Sequence, residues 1–350
     1  MACSKLVQEI ALKGESVPER HFVKQDHVIP PAIDAPSRLW EHTLLIDYSL
    51  LSSSSSLTHQ KELTRLHYAL KHWGCFQVIN HDITSSFLEE LMKVAKEFFS
   101  LPIEDKLRYS VGDDFFNGYS NANEIVDNNA LNWCDRLFLT VVPEDQRRLE
   151  FWPKNPENFR DILNEYSESL RLMLEVLLKA VARSLGLEED GFLRQHGDQG
   201  SISTRLGMYP PCPHPDRVYG VRPHSDESTI TVLLQDKDVP EGLHVLKDDQ
   251  WFKVPVTPGA LFINLGDFGE VMSNGIFKSV MHRVVTNPVK ERVSVAAFCT
   301  PHPETDVEPI AELVSSNRPK MYNKVNKMTF KQIYMHTYPQ GKKVVDALHV

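Results

Sequence analysis

Residues 208–235 read MYPPCPHPDRVYGVRPHSDESTITVLLQ, and this stretch decides what kind of core the chain can build. A proline-rich turn is followed by a segment with His224 and Asp226, and then by the largely β-branched and apolar run 228–234. Because alternate residues of a strand face the same side of a sheet, a strand here would present His224 and Asp226 together. A histidine and a carboxylate on one face make two thirds of a two-histidine, one-carboxylate iron site.

Other His-x-Asp triplets occur in the chain, so the sequence context has to separate them. His196-Gly197-Asp198 lies in a glycine-rich loop and His214-Pro215-Asp216 in a proline-rich turn, and neither predicts a strand. His224-Ser225-Asp226 alone among them leads into a strand-like run. The third ligand is predicted to be His282, which stands between the short apolar segments 280–281 and 284–285.

A second pair of polar residues distinguishes between possible metal chemistries. Arg292 and Ser294 are two residues apart in a predicted strand, so they share a face. A buried arginine with a hydroxyl beside it can bind the carboxylate at the far end of a ligand. The alternative is a surface arginine on an edge strand. Zinc prefers four ligands in a tetrahedron, and a zinc hydrolase remains a further alternative.

The bulk composition limits the classes of partner. The 350 residues carry a net charge of -9, which argues against nucleic acid or an anionic membrane as the main partner. The five cysteines are odd in number and include no CxxC pair, which is typical of a reduced cytoplasmic chain. The sequence contains no run of roughly 20 apolar residues, the length that a membrane-spanning helix needs. We therefore expect a cytoplasmic protein, and a monomer.

The chain changes character near residue 200. Before it, apolar residues at helical spacing predict helices over 86–100 and 159–185, with Gly186 ending the second, while 110–158 is interpreted as irregular and aromatic. After it, short apolar runs alternate with turn residues, which indicates an antiparallel β-sandwich or barrel. The predicted organisation is an N-terminal helical or mixed region (1–198), a β core (199–305) and a C-terminal helical tail (306–350), all in one integrated unit.

Several motifs in a fixed order make the chain similar to a known family. They are WGCFQVINH at 73–81, YPPCP at 209–213, PHSD at 223–226, EGLHV at 241–245, NLGD at 264–267, NGIFKSVMHRV at 274–284 and ERVSVAAF at 291–298. The chain resembles the plant 2-oxoglutarate- and iron(II)-dependent dioxygenases, which include anthocyanidin synthase, flavanone hydroxylases and alkaloid demethylases. The resemblance spans nearly the whole sequence.

The resemblance implies a double-stranded β-helix, or jelly roll, with helices packed outside it. It implies that His224, Asp226 and His282 bind Fe(II), and that Tyr209, Arg292 and Ser294 hold the far carboxylate of 2-oxoglutarate. With O2, and with ascorbate as the expected reductant, such an enzyme converts 2-oxoglutarate to succinate and CO2 and oxidises a small molecule, here expected to be a plant specialised metabolite. Hydroxylation, desaturation, demethylation and ring closure are all compatible with it.

The same resemblance suggests where the substrate would lie and where the chain departs from the family. Phe298 corresponds to a position beside the substrate, and the aromatic region supplies further candidate wall residues, namely Phe116, Tyr119, Trp133 and Phe138. Gly207 stands where the family usually has asparagine, which removes an amide near the metal end of the co-substrate. Two alternatives remain: an oxidase of the same fold that does not use 2-oxoglutarate, and a non-catalytic jelly roll that binds a small molecule.

Overall fold

The structure is a computed structural model, and it describes residues 6–24, 28–36, 38–52, 56–110, 117–121, 130–197, 200–239 and 242–350. The strands are β1 (Ile33–Asp34), β2 (Leu45–Asp47), β3 (Cys75–Ile79), β4 (Gly118–Asn121), β5 (Asp135–Val142), β6 (Ser201–Tyr209), β7 (Tyr219–His224), β8 (Ile230–Gln235), β9 (Leu243–Lys247), β10 (Gln250–Lys253), β11 (Leu261–Leu265), β12 (His282–Val285) and β13 (Arg292–Thr300). The α-helices are α1 (Val7–Leu12), α2 (Tyr48–Ser52), α3 (Leu57–His72), α4 (Ser85–Ser100), α5 (Ile103–Leu107), α6 (Phe159–Ser184), α7 (Gly191–His196), α8 (Asp267–Met272) and α9 (Lys327–Thr337).

These strands form two sheets. The smaller has the order β1-β10-β9-β12-β7 and the larger the order β2-β3-β11-β8-β13-β6-β5-β4. Pairing is antiparallel except where β1 joins β10 and β2 joins β3. The predicted jelly roll with flanking helices is confirmed, as a sandwich of two sheets rather than a closed barrel.

The two faces of the large sheet have different chemistry. On β13, Val293, Val295 and Ala297 are fully buried, and this strand contacts helix α4. The alternate residues Arg292, Ser294 and Phe298 point into the space between the sheets, where they line a cavity. The apolar face therefore packs against the helical layer, and the other face is available for a ligand-binding site.

The long helix α6 anchors that helical layer. Its buried residues recur every three or four positions, as a helix with one face on the core requires, and it packs against α3 and α4. The helix ends at Ser184, and Gly186, two residues beyond it, has a φ of +73° in the left-handed region. The predicted helices over 86–100 and 159–185 are confirmed to within one residue. No helix of the described residues is long and apolar enough to cross a membrane.

The interpretation of 110–158 as irregular is wrong, because the eight-residue strand β5 lies inside it. Its residues alternate between buried and half-buried positions, with Asp135 and Leu137 facing the core and Arg136 and Phe138 facing the cavity. An arginine and a phenylalanine on the same face conceal the alternation of apolar and polar residues on which strand prediction depends. Strands β2 and β3 lie at one end of the large sheet, and β4 and β5 lie at the other end.

The prediction that one strand carries both His224 and Asp226 is also wrong in part. Strand β7 ends at His224, and Asp226 lies in the connection between β7 and β8. That connection passes from the small sheet to the large one, so strand pairing cannot continue through it. Asp226 thus reaches the site from a crossover between the sheets and not by strand alternation.

Candidate metal centre and cavity

His224 and His282 lie directly opposite each other on the neighbouring antiparallel strands β7 and β12. Their ring centroids are 4.2 Å apart. Nδ1 of His224 is 2.8 Å from the carbonyl oxygen of Arg222, and Nδ1 of His282 is 3.2 Å from that of Val280. A proton on each Nδ1 would be donated to these carbonyls, which leaves both Nε2 atoms free to bind a metal.

Asp226 completes the group from the crossover. Its Oδ1 lies 3.6 Å from Nε2 of His224 and 3.6 Å from Nε2 of His282. Its Oδ2 accepts hydrogen bonds from Thr231 Oγ1 at 2.7 Å and Asn264 Nδ2 at 2.8 Å. One carboxylate oxygen is therefore held by neighbours while the other faces the two histidines.

The three side chains form a compact set of metal donors. One ligand atom from each lies within 4.8 Å of the other two. Burial and the adjacent His282 lower the pKa of His224, which favours the neutral imidazole that a metal needs. Burial raises the pKa of Asp226, but His282, His224 and the two hydrogen bonds outweigh it and lower that pKa overall. Two neutral imidazoles and one carboxylate are the donor set of mononuclear non-haem iron(II) sites.

A small pocket next to these donors contains Arg292, Ser294 and Tyr209. Arg292 is 3% exposed, and its Nη2 lies 3.5 Å from Oε1 of Gln235. Its Nε and Nη1 have no hydrogen-bond acceptor among the described residues. A buried guanidinium with two unsatisfied donors is suited to receive a carboxylate.

Two glycines shape this pocket. A Cβ on Gly242 would lie 2.5 Å from Cδ and 2.6 Å from Nε of Arg292, so only glycine fits there without moving the arginine. A Cβ on Gly207 would lie 3.1 Å from the hydroxyl oxygen of Tyr209. The tyrosine ring thus occupies part of the space that a side chain at position 207 would fill.

A wider cavity of about 440 Å³ opens on the other side of the donors. His224, Asp226, Arg205 and Phe298 line both this cavity and the small pocket, so the two spaces meet at the candidate metal centre. The other residues lining the wide cavity are Asn117, Arg136, Phe138, Thr140, Ser203, Ser225, Glu227, Thr300, Lys327, Phe330, Lys331 and Tyr334. A space of this size holds a typical small-molecule ligand.

The structure separates the predicted wall residues. Phe298 and Phe138 line the cavity, with near-parallel rings 6.0 Å apart. Tyr119 lies in the core, with its ring 5.7 Å from that of Phe98, and Trp133 lies in another apolar cluster and donates to the carbonyl oxygen of Pro210. Neither is brought to the cavity. Phe116 lies outside the described residues.

Other residues that line the cavity are not among those predicted from the sequence. Arg205 lies on β6, four residues before Tyr209, and could have been found because alternate residues of the predicted strand share a face. Lys327, Phe330 and Tyr334 lie on one face of α9, whose position over the sheets carries no local sequence signal. Thr231 and Asn264 are likewise absent from the sequence-based site.

Comparison with known proteins gives consistent matches. The sequence profile of the 2OG-Fe(II) oxygenase superfamily matches residues 191–301, and that of the non-haem dioxygenase in morphine synthesis N-terminal region matches residues 45–155. The chain is 39% identical over 344 residues to lateral branching oxidoreductase 1 of Arabidopsis thaliana, covering 97% of this chain and 94% of that protein. It is 33% identical over 280 residues to codeine O-demethylase of Papaver somniferum, covering 80% and 78%.

A solved structure agrees with these matches. The crystal structure of JOX2 in complex with 2OG, Fe and JA superimposes with a TM-score of 0.88 at 31% identity, covering 99% of this chain and 98% of that one. The similarity therefore extends over both sheets and the helices around them.

Proposed function

This chain belongs to the 2OG-Fe(II) oxygenase superfamily and is a 2-oxoglutarate-dependent dioxygenase, and we propose that it inserts oxygen at a C–H bond of a plant specialised metabolite. Hydroxylation is the direct outcome, and hydroxylation of a methoxy carbon leads to demethylation. The observation that carries the proposal is the meeting of two spaces at His224 and Asp226: a small pocket with an arginine that has two unsatisfied donors, and a wider cavity with aromatic walls.

Iron(II) would be held by His224, Asp226 and His282. The fit rests on the donor set and on its surroundings, because carbonyl oxygens orient both imidazoles while Thr231 and Asn264 occupy the second oxygen of Asp226. These three residues would leave other coordination positions of the iron for the co-substrate and dioxygen.

The co-substrate would lie in the small pocket. Arg292 would pair with its distal carboxylate through the two donors that have no acceptor among the described residues, and Ser294 and Tyr209 would fix the orientation. The keto-acid end of 2-oxoglutarate would then lie toward the histidines.

Iron, 2-oxoglutarate and dioxygen together supply the oxidising power: one oxygen atom enters the substrate, the other enters succinate, and CO2 is released. The protein residues bind and orient. The ring of Phe298 lies at the junction of the two spaces, where it would hold the reacting carbon of the substrate near the metal. Phe138, parallel to it, would pack against the body of the substrate.

The test is succinate formation from 2-oxoglutarate by the purified protein with iron(II), ascorbate and a panel of plant metabolites that includes methoxylated compounds. We expect succinate release that a substrate stimulates and that His224→Ala abolishes, because one of three metal ligands is lost. Leu172→Ala, at an exposed position of α6, is the control for handling and should match the wild type.

Other results would redirect the assignment. Substrate oxidation that proceeds without 2-oxoglutarate would indicate an oxidase of the same fold. A folded, iron-loaded protein that forms no succinate, with or without a substrate, would contradict the proposal and favour a binding protein.

A further inference from the structure

Arg205, like Arg292 and Arg136, is a cationic side chain on the interior face of the large sheet. It is not one of the proposed co-substrate contacts. On β6 it lies directly opposite Phe138 of β5 and Ala296 of β13. Residues opposite each other in antiparallel strands project from the same face. Its side chain therefore lies on the floor of the site, beside the aromatic wall, and it lines both the small pocket and the wide cavity.

The guanidinium of Arg205 has few partners for its charge. It donates to Sγ of Cys134 at 3.4 Å, a weak acceptor. Its Nε is shielded from solvent and has no hydrogen-bond acceptor among the residues that the structure describes. No carboxylate of the described residues forms an ion pair with Arg205. Arg205 is half-buried, and a cation that is partly removed from water is stabilised by a counter-ion, because desolvating a charge without one is costly.

The acidic groups that line the cavity do not supply that counter-ion. Asp226 faces the two histidines. The positive charges that oppose the burial of the Glu227 carboxylate are those of Lys327 and Lys331 on α9. The distal carboxylate of 2-oxoglutarate is assigned to Arg292. An anionic group on the substrate would provide the missing counter-ion for Arg205.

Resting on the proposed function, we infer that the substrate is a carboxylic acid whose carboxylate pairs with Arg205 and whose apolar body lies along Phe138, Phe298 and Phe330. The carboxylate marks one end of the molecule, and the oxidised carbon lies farther along it, nearer the metal. Lys327, at the N-terminal end of α9, adds positive charge to the cavity wall and would favour entry of an acid.

The test compares each acid with its own neutral ester. Probes are 3-phenylpropanoic, 6-phenylhexanoic and dodecanoic acids, each beside its methyl ester, and binding is measured by calorimetry to the full chain loaded with iron(II) and 2-oxoglutarate without oxygen. We expect at least one acid to bind roughly 10- to 100-fold more tightly than its ester, the range for a hydrogen bond to a charged group. Arg205→Met keeps the length of the side chain and should remove this preference. Arg171→Met, at an exposed arginine of α6, should retain it.

Two further measurements separate the roles that Arg205 could have. Thermal unfolding of Arg205→Met without ligand should occur at or above the wild-type temperature, since the change removes a charge without a counter-ion; a clear drop would assign Arg205 a structural role and overturn the inference. The affinity for 2-oxoglutarate should change less than threefold. A large loss there, with the acid preference intact, would assign Arg205 to the co-substrate and also overturn it.

The remaining outcomes are decisive as well. A panel in which no acid binds more tightly than its ester contradicts the inference, as does an acid preference that survives in Arg205→Met. Failure of the proposed function is seen separately, because the wild type would then neither bind 2-oxoglutarate nor form succinate from it.

Discussion

Gly242 packs directly against the side chain of Arg292, and a Cβ there would lie 2.5 Å from its Cδ. We predict that Gly242→Ala displaces the guanidinium and raises the KM for 2-oxoglutarate about tenfold, the order expected when a hydrogen bond to a charged group is weakened. Steady-state kinetics with varied 2-oxoglutarate measures the effect. Gly191→Ala is the matched control, because a Cβ there meets Leu187 at an ordinary 3.7 Å. An unchanged KM in Gly242→Ala would show that Arg292 does not bind the co-substrate.

Gly207 and Tyr209 compete for the same space in the small pocket. A Cβ at position 207 would be 3.1 Å from the tyrosine hydroxyl, so Gly207→Ala should shift that hydroxyl and raise the KM for 2-oxoglutarate about threefold to tenfold. Tyr209→Phe removes the crowded oxygen. The double variant should therefore be less impaired than the two single effects combined, and a double-mutant cycle measures this coupling. Strict additivity would refute the steric explanation.

The site divides into parts that the sequence predicts well and parts that it does not. His224 and His282 are recognisable because each lies next to a run of strand-forming residues, and the structure pairs them across two strands. Arg292 and Ser294 follow from strand alternation. Strand alternation predicts Asp226 on the same strand as His224, which is wrong, because Asp226 lies in the crossover between the sheets and that crossover is a tertiary feature.

Long-range packing accounts for the rest. Trp133 belongs to an aromatic region that looks like a cavity wall, but it lies in a separate buried apolar cluster that includes Val7 and Ile10 of the N-terminal helix α1. Phe330 and Tyr334 reach the cavity because α9 docks over it, and an amphipathic helix does not reveal which surface it covers. Arg205 required only the alternation that already placed Tyr209.

Thr231 and Asn264 together hold Oδ2 of Asp226, which leaves Oδ1 directed at the histidines. Thr231→Val keeps the shape of the side chain and removes the hydroxyl, so Asp226 would gain rotational freedom. We predict a 10- to 100-fold loss of iron(II) affinity, the usual range for partners that orient a metal ligand. Competition with a chelator under anaerobic conditions measures it. Thr64→Val, on the exposed face of α3, controls for the substitution itself, and equal affinities for the two variants would refute the orienting role.

Asp135 connects the N-terminal helix to the large sheet. Its two carboxylate oxygens accept hydrogen bonds from the backbone N–H groups of Val7 and Gln8, at 3.0 and 2.9 Å. Burial raises the pKa of Asp135 to about 7, although those two hydrogen bonds and Lys106 oppose the change. Between its ordinary pKa and about 7, the folded protein holds a proton that the unfolded chain has lost.

This proton makes stability depend on pH in a defined direction. As pH rises from about 4 to about 7, Asp135 should lower the free energy of unfolding by up to about 1.4 kcal/mol per pH unit, and above that range its contribution should be constant. Asp135→Asn does not titrate, so the stability of the variant relative to the wild type should increase from pH 5 to pH 7 and then level off. Chemical denaturation of both proteins at pH 5, 6, 7 and 8 measures this difference. A difference that does not vary with pH, or one that decreases, would show that Asp135 is already ionised in the folded protein at pH 5, with its charge stabilised by the N–H groups of α1.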